Sequence, residues 1–370
     1  MFHYPLQFNE VTGRPDLMDN EKAIPVDDYT FNSIHRHIDK KGGRISSSRL
    51  KQQITSDLVP QYHPFRDYFD GLAPYDLNKE ADYIAEFVGL IPTNDEDYLY
   101  WTLKKWLVGV VATAITPDKT NQQVFVLSGD QGYGKSRILE GLMPPALHPE
   151  YLHSGPLDAG NKDSLALMAG KLLINLDELD SVTAKKEAEL KNLITMNEVS
   201  YRRPYGTFVD TYKRHASFMA SVNHESILSD MTGNRRFLIH KVKAPITYKH
   251  SIPIDRLWAQ VYDLYQNGFQ YWFDNGADQA RISAKNTAFE SRTSEEELLL
   301  QFYEPTINSA HREERLTATE ITKVLFDDQY PTGLRSSRIK LGQALKKHGF
   351  ESIMISRQKY WKVRRKKQNP

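Results

Sequence analysis

The sequence predicts an α/β fold: a central parallel sheet carrying a phosphate-binding loop, with an all-helical domain before it and a basic, winged-helix-like domain after it. Three observations predict this. The octet Gly129–Ser136 fits G-x-x-x-x-G-K-[ST] without a mismatch. Two further apolar runs, Lys171–Glu178 and Ala216–Asn223, end in polar residues, as strands of one parallel sheet do where their ends line a crevice. Residues 331–370 hold 12 Lys/Arg against one acid, Glu351, a net of +11, while the rest of the chain holds 36 basic and 46 acidic residues, a net of −10. Such an asymmetry points to a basic module that meets a polyanion.

Composition excludes several classes. Forty per cent apolar and 26% charged residues describe an ordinary globular chain, and 370 residues leave room for more than one domain. The absence of cysteine removes disulfides, thiolate zinc sites, Fe–S clusters and a Cys nucleophile, and it suits the cytoplasm. Met1–Leu6 has neither the basic nor the apolar region of a signal peptide, and the longest apolar run, Trp106–Ile115, is too short to span a bilayer, so no membrane partner is expected.

Residues 1–29, punctuated by Pro5, Pro15 and Pro25, read as irregular structure that could hold a short hairpin. Residues 30–116 read as the helical domain. Phe31, Ile34 and Ile38 share one face before Gly42 and Gly43 stop the first helix; Leu50, Ile54 and Leu58 share a face in the second, with Ser46–Ser48 as caps. His35 and His37, two apart, point to different faces and make no metal pair. Further helices start near Tyr62, run through Ala81–Val88, and extend over Asp97–Ile115.

Residues 117–292 carry the core. Gln123–Ser128 reads as a buried strand entering the loop, and Arg137–Leu142 as the helix leaving it. The candidate triphosphate ligands are Gly129, Asp130, Gln131, Gly132, Tyr133, Gly134, Lys135, Ser136 and Arg137. Glycines let backbone N–H groups face the phosphates, Lys135 adds a point charge, and the Ser136 hydroxyl is placed to ligand Mg²⁺. ATP and Mg²⁺ are the cofactors this implies. Asp177 and Glu178 end the second apolar run in the Walker B manner: Asp177 would hold Mg²⁺ and Glu178 would orient or deprotonate the attacking water. Asn223, at the third strand's tip, can hydrogen-bond that water or the γ-phosphate. Arg235 and Arg236 follow a Gly233-Asn234 turn; an arginine at the γ-phosphate stabilises transition-state charge and can come from a neighbouring subunit.

Between these strands, Ser200–His215 interleaves tyrosines with Arg202, Arg203, Lys213 and Arg214, a pattern that either grips nucleic acid or forms a solvated hairpin. Residues 293–370 read as three helices and a basic hairpin. Arg338 and Lys340 lie on the third helix, and Arg357 and Lys359 on the hairpin. That order is the order of a winged helix-turn-helix that docks on DNA; a solvated basic tail is the alternative.

The motif set resembles the virulence-associated protein E family of P-loop ATPases associated with phages and mobile islands, which are similar to superfamily 3 helicases and AAA+ proteins. Phe65–Tyr68, Lys105–Leu107, Gly129–Ser136, Asp177-Glu178, Tyr201–Gly206, Asn223, Thr232–Phe237 and Asp255–Ala259 carry the resemblance. It implies an AAA+/superfamily 3-like core and an ATPase of helicase type that replicates a phage or mobile element. It also implies Asn223 as the sensor, Arg235 or Arg236 as a trans-acting finger, and self-association into a hexameric ring on single-stranded or forked DNA. Many relatives carry a primase domain upstream; none fits into residues 1–60, which leaves either a stand-alone ATPase with a separately encoded primase or a fragment of a larger protein. The alternative is a nucleotide-switched DNA-binding or interference factor that hydrolyses ATP without unwinding. A small-molecule kinase would leave the arginine pair and basic tail unexplained.

Overall fold

The computed structural model describes residues 5–19, 22–147, 149–158, 160–176, 184–203, 208–223, 234–274, 276–289, 294–306, 314–326 and 338–366. The chain divides into two compact units, Met1–Glu290 and Ser291–Pro370.

The first unit opens on strands β1 (Leu6–Asn9), β2 (Arg14–Asp19) and β3 (Lys22–Pro25), joined by β4 (Gln61–Tyr62) in the order β3-β2-β1-β4. The sequence expectation of irregular structure over 1–29 is corrected here. These strands are pinned by a buried polar network rather than by an alternating apolar pattern. Asn9 Nδ2 donates to Asp16 Oδ2 and to Tyr151 Oη, both at 2.7 Å, and Tyr62 Oη donates to Asp16. Burial raises the Asp16 carboxyl above its usual range, against the pull of those donors. Helices α1 (Asp28–Lys40) and α2 (Ser47–Ile54) start where Asp27 and Ser46 accept N–H groups of the first turn, and Ile34, Leu50 and Ile54 bury their shared faces with Val59.

Helices α3 (Pro64–Asp70), α4 (Tyr83–Gly89) and α5 (Glu96–Ile115) follow, capped by His63, Asp82 and Asp95. They build no core of their own: Phe65, Trp106 and Leu107 share one hydrophobic cluster with Phe125 and Leu127 of the main sheet. Helix α5 is apolar almost all round because it is enclosed; its Trp106 indole N–H reaches Phe218 O at 3.2 Å. No helix among the described residues is long and apolar enough to cross a membrane.

The main sheet contains β5 (Val124–Ser128), β6 (Leu152–Ser154), β7 (Leu173–Leu176), β10 (Ser217–Val222) and β11 (Phe237–Lys241), all parallel, in the order β11-β5-β10-β7-β6. Its central strands are buried on both faces, which is why they read as continuous apolar runs. Around it lie α6 (Lys135–Glu140), α7 (Lys162–Gly170) and α8 (Ala184–Thr195), then α9 (Ile254–Gln266) and α10 (Ala277–Asn286). One face packs on α5 and α9, the other under α7 and α8. Strands β8 (Glu198–Tyr201) and β9 (Asp210–Lys213) pair antiparallel as a separate hairpin.

Histidines sit inside this unit without charge. His240 lies between the rings of Tyr98 and Phe125 and bonds Thr102 Oγ1 at 2.9 Å; His215 bonds Ala114 O at 2.8 Å and meets His63 edge-on. Burial lowers His240 and His215 to about 3 and His63 to about 4. Above the ordinary imidazole value of 6.5 both folded and unfolded chains hold these rings neutral, so their contribution to stability is complete there. Below it the unfolded chain takes up protons that the folded one refuses, and stability falls until the folded rings titrate. The urea midpoint is therefore expected to hold level from 6.5 up to about 8 and to drop steadily from 6.5 towards pH 4. A midpoint unchanged across that window would refute the buried neutral rings.

The second unit contains α11 (Ser294–Phe302), β12 (Tyr303–Pro305), β13 (Glu314–Leu316), α12 (Ala318–Phe326), α13 (Arg338–Lys347), β14 (Ser352–Ile355) and β15 (Gln358–Arg365). Strand β15 pairs antiparallel with β12, β13 and β14; Trp361 faces Leu316 in one partner and Ser352 in another. Its core is Leu299, Tyr303, Ile321, Leu341, Leu345, Trp361 and Val363.

Candidate functional site

The octet 129–136 leaves the C-terminal end of β5 and runs into α6. Two of its glycines are required by space. A Cβ on Gly129 would lie 2.6 Å from the Val242 carbonyl oxygen, and Gly134 caps α6 at φ +83°, with a Cβ there meeting the Tyr248 ring at 2.8 Å. The Lys135 ammonium turns back into the loop and donates to Gly129 O (2.7 Å), Asp130 O (2.8 Å) and Asn223 Oδ1 (3.1 Å). The Ser136 and Ser221 hydroxyls are 2.7 Å apart.

The sheet order explains this convergence. β10 is inserted between β5 and β7, so its last residues reach the loop from the side. Asn223 follows Val222, which pairs with Ser128, the residue just before the loop. β7 ends at Leu176 opposite Ala220, and the next two residues in the chain, Asp177 and Glu178, lie outside the described residues.

Arg235 and Arg236 stand elsewhere. They precede Phe237, which pairs with Val124 at the start of β5, whereas the loop follows Ser128 at its end. The strand between spans four residue steps, roughly 13 Å. Within one chain the arginines and the loop therefore occupy opposite ends of the sheet. Arg235 is exposed and its guanidinium reaches Gln279 Oε1 at 2.7 Å, beside a polar basin of about 410 Å³ that Arg236, Asp118 and Asn197 also line.

The basic residues of the β8–β9 region divide sharply. Arg202 is exposed. Two others, Arg214 and Lys213, are corrected as nucleic-acid contacts. Arg214 is fully buried: its guanidinium donates to Leu193 O (3.3 Å), Ile194 O (2.7 Å) and Asn121 O (2.6 Å) and lies over Phe218. It thereby binds last-turn carbonyls of α8, where the helix dipole favours a cation. Burial lowers it to about 9, so it stays charged at neutral pH. Lys213 carries its ammonium into the interior, and burial lowers it to about 8, with Asp118 partly offsetting. Arg203 lies over the Tyr212 ring at 4.2 Å and against Gly13 of the β1–β2 turn. The hairpin also exposes Phe208 and Val209, 73% and 69% accessible, which sequence reasoning did not single out. The available signal was an apolar pair following Gly206 and Thr207, midway between Arg203 and Lys213.

In the second unit Arg338, Lys340, Arg357 and Lys359 are all exposed. The hairpin turn places Ser356 and Arg357 in the left-handed region at φ 49° and 66°, a conformation that raises Arg357 at the tip.

A family model described as the virulence-associated protein E-like domain matches residues 75–291, more than half of the chain. No curated protein matches it. Among solved structures the chain is similar to the apo structure of the NrS-1 C terminal region, at 12% identity and a TM-score of 0.48, covering 97% of this chain and 95% of that one. It is also similar to the A form apo structure of the same region, at 12% identity, a TM-score of 0.47 and the same coverage.

Proposed function

The chain belongs to the virulence-associated protein E-like domain family, and from that premise we propose that it is a helicase-like ATPase that binds DNA and acts in replicating a phage or mobile element. The observation that carries this reading is Lys135, seated in a G-x-x-x-x-G-K-S loop at the end of a central parallel strand and bonded to Asn223 at the tip of the next. In the proposal the loop amides and Lys135 hold the polyphosphate of ATP, and Asn223 meets the γ-phosphate or the attacking water. A hydroxyl and a carboxylate are hard oxygen donors that suit Mg²⁺, so Ser136 and Asp177 would hold that ion, which neutralises phosphate charge. Glu178 would orient or deprotonate the water.

Because Arg235 and Arg236 stand at the far end of the sheet, they serve the loop of a neighbouring subunit in this reading. A head-to-tail contact of that kind repeats into a ring, for which six subunits is the proposal. The sequential order α11, β12, β13, α12, α13, β14, β15, with β15 paired to β12, β13 and β14, supports a winged helix-turn-helix that meets DNA through Arg338, Lys340, Arg357 and Lys359. Arg202 and Phe208 on the β8–β9 hairpin suit single-stranded DNA, by charge and by stacking.

ATPase rate with and without single-stranded DNA, together with solution mass under ATP, tests the proposal. A several-fold stimulation and an ATP-dependent assembly are expected. ATP turnover that ignores DNA, with no strand separation on a forked duplex, would leave a nucleotide-switched DNA-binding factor in place of the helicase.

A further inference from the structure

The order of the main sheet gives the loop two different flanks. β10, leading to Asn223, lies on one side of β5, and β11 lies on the other. The chain leaving β11 folds back along the loop: Val242 N–H donates to Ser128 O (2.7 Å) and Ile246 N–H to Tyr133 O (2.8 Å). Two residues on, the Tyr248 ring rests against Gly134. The Arg137 guanidinium lies 4.9 Å from the centroid of that ring, and Arg137 Nη1 donates to Tyr248 Oη at 2.6 Å. Beside this pair opens a groove lined by Glu86, Gly89, Leu90, Gly141, Tyr248 and His250.

We propose that this groove receives the nucleoside of the bound triphosphate, with the Arg137–Tyr248 pair as the flat shelf on which the base stacks. The proposal rests on the reading of 129–136 as a triphosphate loop. Lys135, bonded to Asn223, marks the γ-phosphate end on the β10 flank. The polyphosphate then runs along the loop amides, and sugar and base leave on the β11 flank. The planar groups waiting there are the phenol of Tyr248 and the guanidinium of Arg137. Every base has a π-face, so such a shelf favours nucleosides over bare phosphate without choosing strongly among bases.

Calorimetric binding of ATP and of inorganic tripolyphosphate, each with Mg²⁺, separates the shelf from the loop, because tripolyphosphate carries the charge and no base. Tyr248→Ala is expected to weaken ATP about tenfold and to leave tripolyphosphate within about twofold of wild type, while Tyr248→Phe keeps ATP affinity. Retained tripolyphosphate binding also shows that the alanine variant is folded. Equal losses for both ligands, or unchanged ATP affinity, would overturn the shelf. Lys135→Ala reads the loop separately. If that variant binds tripolyphosphate as wild type does, or if wild type binds neither ligand, the triphosphate reading itself falls and the shelf falls with it.

Discussion

Replacing Lys135 by alanine is expected to lower ATP turnover by about 10²–10³-fold, the usual loss when one preorganised electrostatic contact to a developing anion is removed. The side chain is 5% exposed and its ammonium is held inside the loop by two backbone carbonyls and Asn223. A cation so placed has a site to fill rather than a surface to decorate. Asn223→Ala removes one of those acceptors and leaves the lysine in the loop, so a smaller loss is expected from it. Steady-state turnover of the two variants, with urea midpoints to show that both are folded, checks the ranking. Near-normal turnover by Lys135→Ala would remove the loop from the chemistry.

The second large effect concerns stability. Arg214→Ala is expected to destabilise the first unit by at least about 3 kcal/mol, because the Ile194 and Asn121 carbonyls lose their guanidinium donor, Leu193 O keeps only the Met196 N–H, and the side chain leaves a cavity. The carbonyls of Leu193 and Ile194 belong to the last turn of α8, and that of Asn121 belongs to the segment entering β5. One guanidinium thus ties a helix end to the approach of the central strand. Lysine keeps the charge but cannot present three N–H groups in a plane, so Arg214→Lys should recover only part of the loss. Denaturant unfolding measures this. An unaltered midpoint together with weaker DNA binding would restore Arg214 to the nucleic-acid surface.

Arg214 also shows where sequence reasoning stops. It stands in a run with Lys213 and His215, beside tyrosines, and in the linear chain that run has the pattern of a phosphate grip. Only the fold turns the side chain inward, onto carbonyls 20 and 93 residues away. The strands before residue 26 were illegible for a related reason: they are fixed by Asn9, Asp16, Tyr62 and Tyr151, polar partners up to 142 residues apart, and polar pairings leave no period in a sequence. By contrast β5, β7 and β10 were legible because strands buried on both faces must be apolar throughout, and the loop was legible because its glycines are demanded by local space. Asn223 was legible as a strand-tip amide beside the loop, but its bond to Lys135 was not, since strand order is a property of the sheet and not of the chain. The same order separates Arg235 and Arg236 from the loop, and it sets Tyr248, a lone aromatic in an irregular segment, next to it.

In the proposed assembly the ATP site is completed by two subunits, each giving what the other lacks. Lys135→Ala has the arginines and no loop cation; the double variant Arg235→Ala, Arg236→Ala has the loop cation and no arginines. Mixed in equal amounts under assembly conditions, two dead preparations are expected to regain about a quarter of wild-type turnover, the fraction of random head-to-tail contacts that join an intact loop to an intact arginine pair. A mixture as inactive as its components, from proteins shown to co-assemble, would contradict the shared site.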